Sequence, residues 1–146
     1  MSIFVVEGAP VTGVERLGSF VPTIGTGGFV VCEAPDEGVV RDACGGVATV
    51  WAAVNLSPTA SARERGLYVV DEVFDPPIDL SKAAPENPEL SPCLQRNDVD
   101  WVTSFIALDG TRCRCVYDAA DAEAVRASYR AAQFPFVKVW HARREA

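Results

Sequence analysis

A chain of 146 residues with 49% apolar and 23% charged side chains can bury a core, as one domain of ordinary size or two minimal ones. Its 20 acidic residues outnumber 13 basic ones, and the net charge of −7 argues against nucleic acid, whose phosphates need Lys and Arg, and against anionic membrane surfaces. The apolar run Ile3-Phe4-Val5-Val6 is too short to span a bilayer and has no basic segment before it, so a cytoplasmic location is expected.

In chain order, strands are predicted at Ser2 to Glu7, Gly18 to Thr23, Gly28 to Glu33 and Thr49 to Asn55, with a helix from Pro35 to about Gly45. Gly25-Thr26-Gly27-Gly28 joins two strands and opens no helix, so it reads as a hairpin turn and not a phosphate loop. Ser57-Pro58 suits the start of a short linker helix and Gly66 its end. Leu67 to Phe74, rich in Val and aromatics, is a strand stopped by Asp75-Pro76-Pro77. Pro85, Pro88 and Pro92 forbid one long helix after it, and Ser91-Pro92 predicts a short one ending near Asn97. Asp100 to Leu108 and Thr111 to Asp118 form a hairpin turning at Asp109-Gly110. A helix follows from Ala120 to Ala132, closed by Gln133 and Pro135, and Phe136 to Ala142 is the last strand.

Two stretches of the chain resemble each other. Ser19-Phe20, Gly25-Thr26, Val31, Ala34, Asp36 and Val40-Arg41 recur 85 residues later, and Ser19 to Asn55 holds ten identities at that offset. Upstream, Ile3-Phe4-Val5-Val6-Glu7 mirrors Leu67-Tyr68-Val69-Val70-Asp71 at an offset of 64, so 21 residues are missing from the first copy. The expected fold is α+β: tandem ferredoxin-like βαββαβ repeats over residues 1–56 and 67–146, the first lacking its first helix, with 57–66 as linker. Strands apolar on both parities, such as Val102 and Ile106 against Trp101 and Phe105, need cover on both faces. Two sheets packed as an intrachain pseudo-dimer would provide it, with a homodimer interface as the other reading.

The five cysteines are odd in number, have no C-x-x-C pair, and are expected to be reduced. Cys113 and Cys115 lie two apart on a strand and so face one side. The run Asp100-Trp101-Val102-Thr103-Ser104-Phe105, the Asp109-Gly110 turn, Cys113-Arg114-Cys115-Val116-Tyr117-Asp118-Ala119 and Asp121-Ala122-Glu123-Ala124-Val125-Arg126 together resemble the small bacterial proteins grouped as domain of unknown function 4242. Some members of that family are described as nickel-binding. The resemblance covers Leu67 to Ala142 and is weaker in the first copy, which has Val30 where the family pattern has Cys. It implies a ferredoxin-like fold, and nickel or another divalent ion as ligand.

On the residues alone, Cys113, Cys115 and the single histidine, His141, are the metal-ligating set, although strand order puts His141 and Cys113 toward opposite ends of the sheet. Glu7 and Asp71 hold equivalent strand-end positions, where desolvated carboxylates suit proton transfer or cation binding, and where Asp71 or Glu72 instead suits an ion pair with Arg112, Arg114 or Lys138. Trp101, Tyr117 and Trp140 are candidate walls for an organic ligand, or core. The resemblance implies a non-enzymatic protein binding a metal ion or small molecule. The alternatives are a cofactor-free enzyme of oxygenase, isomerase or cyclase type using a cavity between the sheets, and a plain interaction module.

Overall fold

The computed structural model describes residues 1–46, 48–58, 63–80 and 87–145. These hold β1 (Ser2–Glu7), β2 (Glu15–Pro22), β3 (Phe29–Ala34), α1 (Glu37–Ala43), β4 (Thr49–Leu56), β5 (Leu67–Val73), α2 (Leu90–Arg96), β6 (Asp100–Ala107), β7 (Arg112–Asp118), α3 (Ala122–Ala131) and β8 (Lys138–Glu145). The strands run in one closed order, β1-β3-β2-β8-β5-β7-β6-β4, with β4 returning to β1.

That closure overturns the expected fold class. The protein is an eight-stranded antiparallel barrel with three short helices among the described residues, not tandem ferredoxin-like repeats whose sheets pack as a pseudo-dimer. The physical reason lies in the strand edges. β8 continues past Ala142 to Glu145, and its last residues pair with β2 from Pro22↔Ala142 to Ser19↔Glu145. An edge otherwise left with open N–H and C=O groups gains a partner, which closure achieves for every strand.

The chain divides into two compact units, Met1–Val54 with Ala142–Ala146, and Asn55–His141. In the first, β1 lies between β3 and β4, and β2 flanks β3. One face of these strands is packed under α1 through Phe4, Val6, Cys32, Ala34, Val40 and Val50. The helix starts where Asp36 Oδ1 accepts from the Val39 N–H at 3.0 Å, satisfying an end group that has no partner within the helix.

In the second unit β7 lies between β5 and β6, in register from Leu67↔Asp118 to Val73↔Arg112. Even-numbered residues of β5 and odd-numbered residues of β7 meet α2 and α3, in a core of Val70, Cys115, Tyr117, Leu90, Leu94 and Tyr129 among others. The opposite parity is buried too, at Val69, Phe105 and Val116, which is why neither face reads as wet. The turn at Gly110 requires glycine: φ is +73°, and a Cβ there would stand 2.3 Å from the Ile78 carbonyl oxygen.

Two helix starts differ in clarity. α3 is capped as its sequence suggests, with Asp121 Oδ1 accepting from the Ala124 N–H at 2.8 Å. α2 begins at Leu90, ahead of the expected Ser91-Pro92 start, because Asn87 Oδ1 accepts from the N–H groups of Glu89 and Leu90. Pro92 then sits in the first turn, where its missing N–H removes no helical bond. The predicted linker helix falls largely on residues 59–62, outside the described residues.

Candidate metal centre in the second unit

The strand register of the second unit assembles a polar cluster inside an apolar layer. Glu72 of β5 stands opposite Cys113 of β7, and Ser104 of β6 stands opposite Cys115. All four are buried, Glu72, Ser104 and Cys115 completely. The Cys115 thiol lies 3.0 Å from Glu72 Oε2 and 3.3 Å from Cys113 Sγ, and Ser104 Oγ donates to Cys115 Sγ at 3.1 Å. Trp101 Nε1 in turn donates to Ser104 Oγ at 3.0 Å, fixing that hydroxyl from behind. Above the thiols, the hydroxyls of Tyr117 and Tyr129 bond each other at 2.8 Å.

Burial makes negative charge expensive here, and the groups compete for one site of ionisation. Burial, followed by the charge on Cys115, pushes the Glu72 carboxyl well up. The Cys113 thiol is pushed well up by its bond to Cys115 and by burial. Burial also opposes ionisation of Cys115, but hydrogen bonds from Cys113, Ser104, Glu72 and Tyr117 outweigh it and bring this thiol down to about 7. Glu72 Oε1 has no hydrogen-bond partner among the described residues, an orphaned acceptor of the kind folded proteins avoid unless a ligand completes it.

The donor set fits a borderline-to-soft divalent cation. Glu72, Cys113 and Cys115 offer one oxygen and two sulfurs, all within 4.8 Å of one another.

The residues singled out from sequence fall in three places. Cys113, Cys115, Trp101 and Tyr117 belong to this cluster or its support. His141 is exposed and stacks on Tyr68 with ring centroids 4.9 Å apart. Tyr68 is four residues along β5 from Glu72, about 13 Å at strand rise, so His141 is remote from the thiols. Asp71 and Trp140 meet on the other face of β5: Asp71 Oδ1 accepts from Trp140 Nε1 at 3.0 Å and pairs with Arg114 at 3.3 Å, while Lys138 lies 3.8 Å from Oδ2. This is the cross-strand ion pairing that register permits. Glu7 belongs to the first unit, half-buried at the end of β1 opposite Phe29 and Thr49. Sequence reading missed Glu72 and Ser104 as site residues. The available signal was parity, since Glu72 shares the face of Val70 and Phe74 whereas Asp71 does not.

Among the described residues no helix is long and apolar enough to cross a membrane. No curated protein matches the chain. A solved structure described as "putative monooxygenase from Lactobacillus acidophilus NCFM" aligns at 10% identity and a TM-score of 0.47, covering 100% of this chain and 95% of that one. Residues 68–141, the stretch that carries the Glu72–Cys113–Cys115 cluster, match the family of Nickel responsive protein SCO4226-like. The match supports the nickel association of the sequence resemblance and does not itself carry the name domain of unknown function 4242. With half of its length matched, the chain belongs to the family of Nickel responsive protein SCO4226-like.

Proposed function

We propose that the protein binds one divalent metal ion, nickel(II) first among them, through Glu72, Cys113 and Cys115. The observation that carries the reading is a buried carboxyl and two thiols within bonding reach of a common point, with Glu72 Oε1 left unpartnered. Binding a cation here replaces a costly buried anion with a neutralised set, and it releases the protons of the thiols and carboxyl that become ligands. The ion would supply the positive charge this cluster otherwise lacks. Ser104, braced by Trp101, orients Cys115 and steadies its charge, as outer-shell groups commonly do around metal ligands.

Titrating the metal-free chain with nickel(II), while following thiolate-to-metal charge-transfer absorption, is expected to saturate at one equivalent. Cys113→Ser and Cys115→Ser should abolish the band, Glu72→Gln should weaken binding by about tenfold or more, and His141→Ala should leave it unchanged. A band that survives both cysteine variants, or no band with nickel(II) at all, overturns the assignment.

A further inference from the structure

The first unit contains a cavity of about 420 Å3 at the end of β1 and the start of β3, within the usual range for small-molecule sites. Its place in the strand pattern corresponds to that of the cysteine cluster. Register sets Val6 and Ser19 opposite Val30, just as it sets Val70 and Ser104 opposite Cys115. The irregularity at Arg16/Gly18 of β2 answers the one at Trp101/Thr103 of β6. Arg16 Nη2 donates to Ser19 Oγ at 3.4 Å, where Trp101 donates to Ser104.

The side chains filling this location are different. By the offsets of 64 and 85, Gly8 stands for Glu72, Gly28 for Cys113 and Val30 for Cys115, so every metal-donor atom is gone. A Cβ at Gly8 would meet nothing within 4 Å, so the place of the carboxylate is open space. What remains is a guanidinium and a buried hydroxyl at one end of a cavity walled by Val6, Val11 and Val30. The charge preference is inverted from cation to anion. Glu145 on the lining, bridged to Arg143 at 2.9 Å, makes a dianion less favourable than a monoanion.

We propose that this cavity binds a small organic monocarboxylate with an apolar or aromatic body, its carboxylate on Arg16 and Ser19 and its body against the walls of Val6, Val11 and Val30. The planar guanidinium offers two parallel N–H donors to a carboxylate, and the valine walls cover part of the ligand's apolar body. The site is independent of the metal centre, and its ligand is a different chemical class.

The test uses 4-fluorophenylacetate as probe with the full chain, followed by fluorine NMR. Saturable binding is expected, weakened about tenfold or more for the neutral isostere 2-(4-fluorophenyl)ethanol and for the Arg16→Gln variant. Arg16 is exposed, so this variant should keep the native melting temperature; Val30→Phe, which fills the cavity, is the second variant and should abolish binding. Nickel titration of Arg16→Gln should match the unaltered chain. Absence of saturable binding, equal binding of the alcohol, or full binding by Arg16→Gln with its fold intact overturns the proposal.

Discussion

Glu72 is the residue on which the proposed metal centre turns. Its folded-state carboxyl is raised above the ordinary value by burial, so the protonated form is the one the fold favours. The stability linked to it is fully present below the ordinary carboxyl range and is lost as pH rises toward the raised value. Denaturant midpoints measured between about pH 5 and pH 8 should therefore fall less steeply for Glu72→Gln than for the metal-free parent. A steeper fall in the variant would place the penalty on another group. Cys115 acts in the opposite sense: its lowered thiol adds stability above the unfolded thiol range that is lost as pH falls through about 7. Ser104→Ala removes a hydrogen bond to the Cys115 sulfur, which, on the proposed ligand set, should move the nickel charge-transfer band to longer wavelength and weaken binding about 10–100-fold. Local sequence put Cys113 and Cys115 on one side through the two-residue strand period. It did not distinguish Glu72 from its neighbour Asp71, because a shift of one residue exchanges the two faces and both positions tolerate an acid.

At the scale of elements, strands and helices followed signals that act over a few residues. Asp121 caps α3 by a side-chain bond three residues on, and Asp121→Ala should lower stability by about 1 kcal/mol in urea unfolding. The segment before β5 is tied down by longer reach. Asp118, fully buried at the end of β7, accepts from the backbone N–H groups of Glu64 and Arg65 and from the Arg65 guanidinium at 3.2 Å. Asp118→Ala leaves those donors without their partner and should cost about 3 kcal/mol, read in the same unfolding experiment. The reach of Asp118 is not legible locally, since it depends on strand pairing that brings Glu64 and Arg65 beside the end of β7, whereas Asn87 acts on α2 over only two and three residues, a local signal that the Ser91-Pro92 pair masks.

For the whole molecule, metal binding should be visible as stability. A ligand at a hundred times its Kd adds about 2.7 kcal/mol to a two-state fold. In a chain of this length that corresponds to a rise in melting temperature of about 5–10 °C, measurable by calorimetry with and without nickel(II). Composition and periodicity alone determined the apolar strands, the placement of α1 and α3, and the pairing of Cys113 with Cys115 on one face, while the motifs from Asp100 to Arg126 carried the resemblance to a nickel-associated family. Tertiary structure decided that the strands close into one ring and not two stacked sheets, that Glu72 joins the thiols, and that His141 stands apart on Tyr68. The reason is physical: side-chain alternation is a local property of each strand, whereas closure satisfies edge hydrogen bonds between residues more than a hundred positions apart, as Ser19 and Glu145 are.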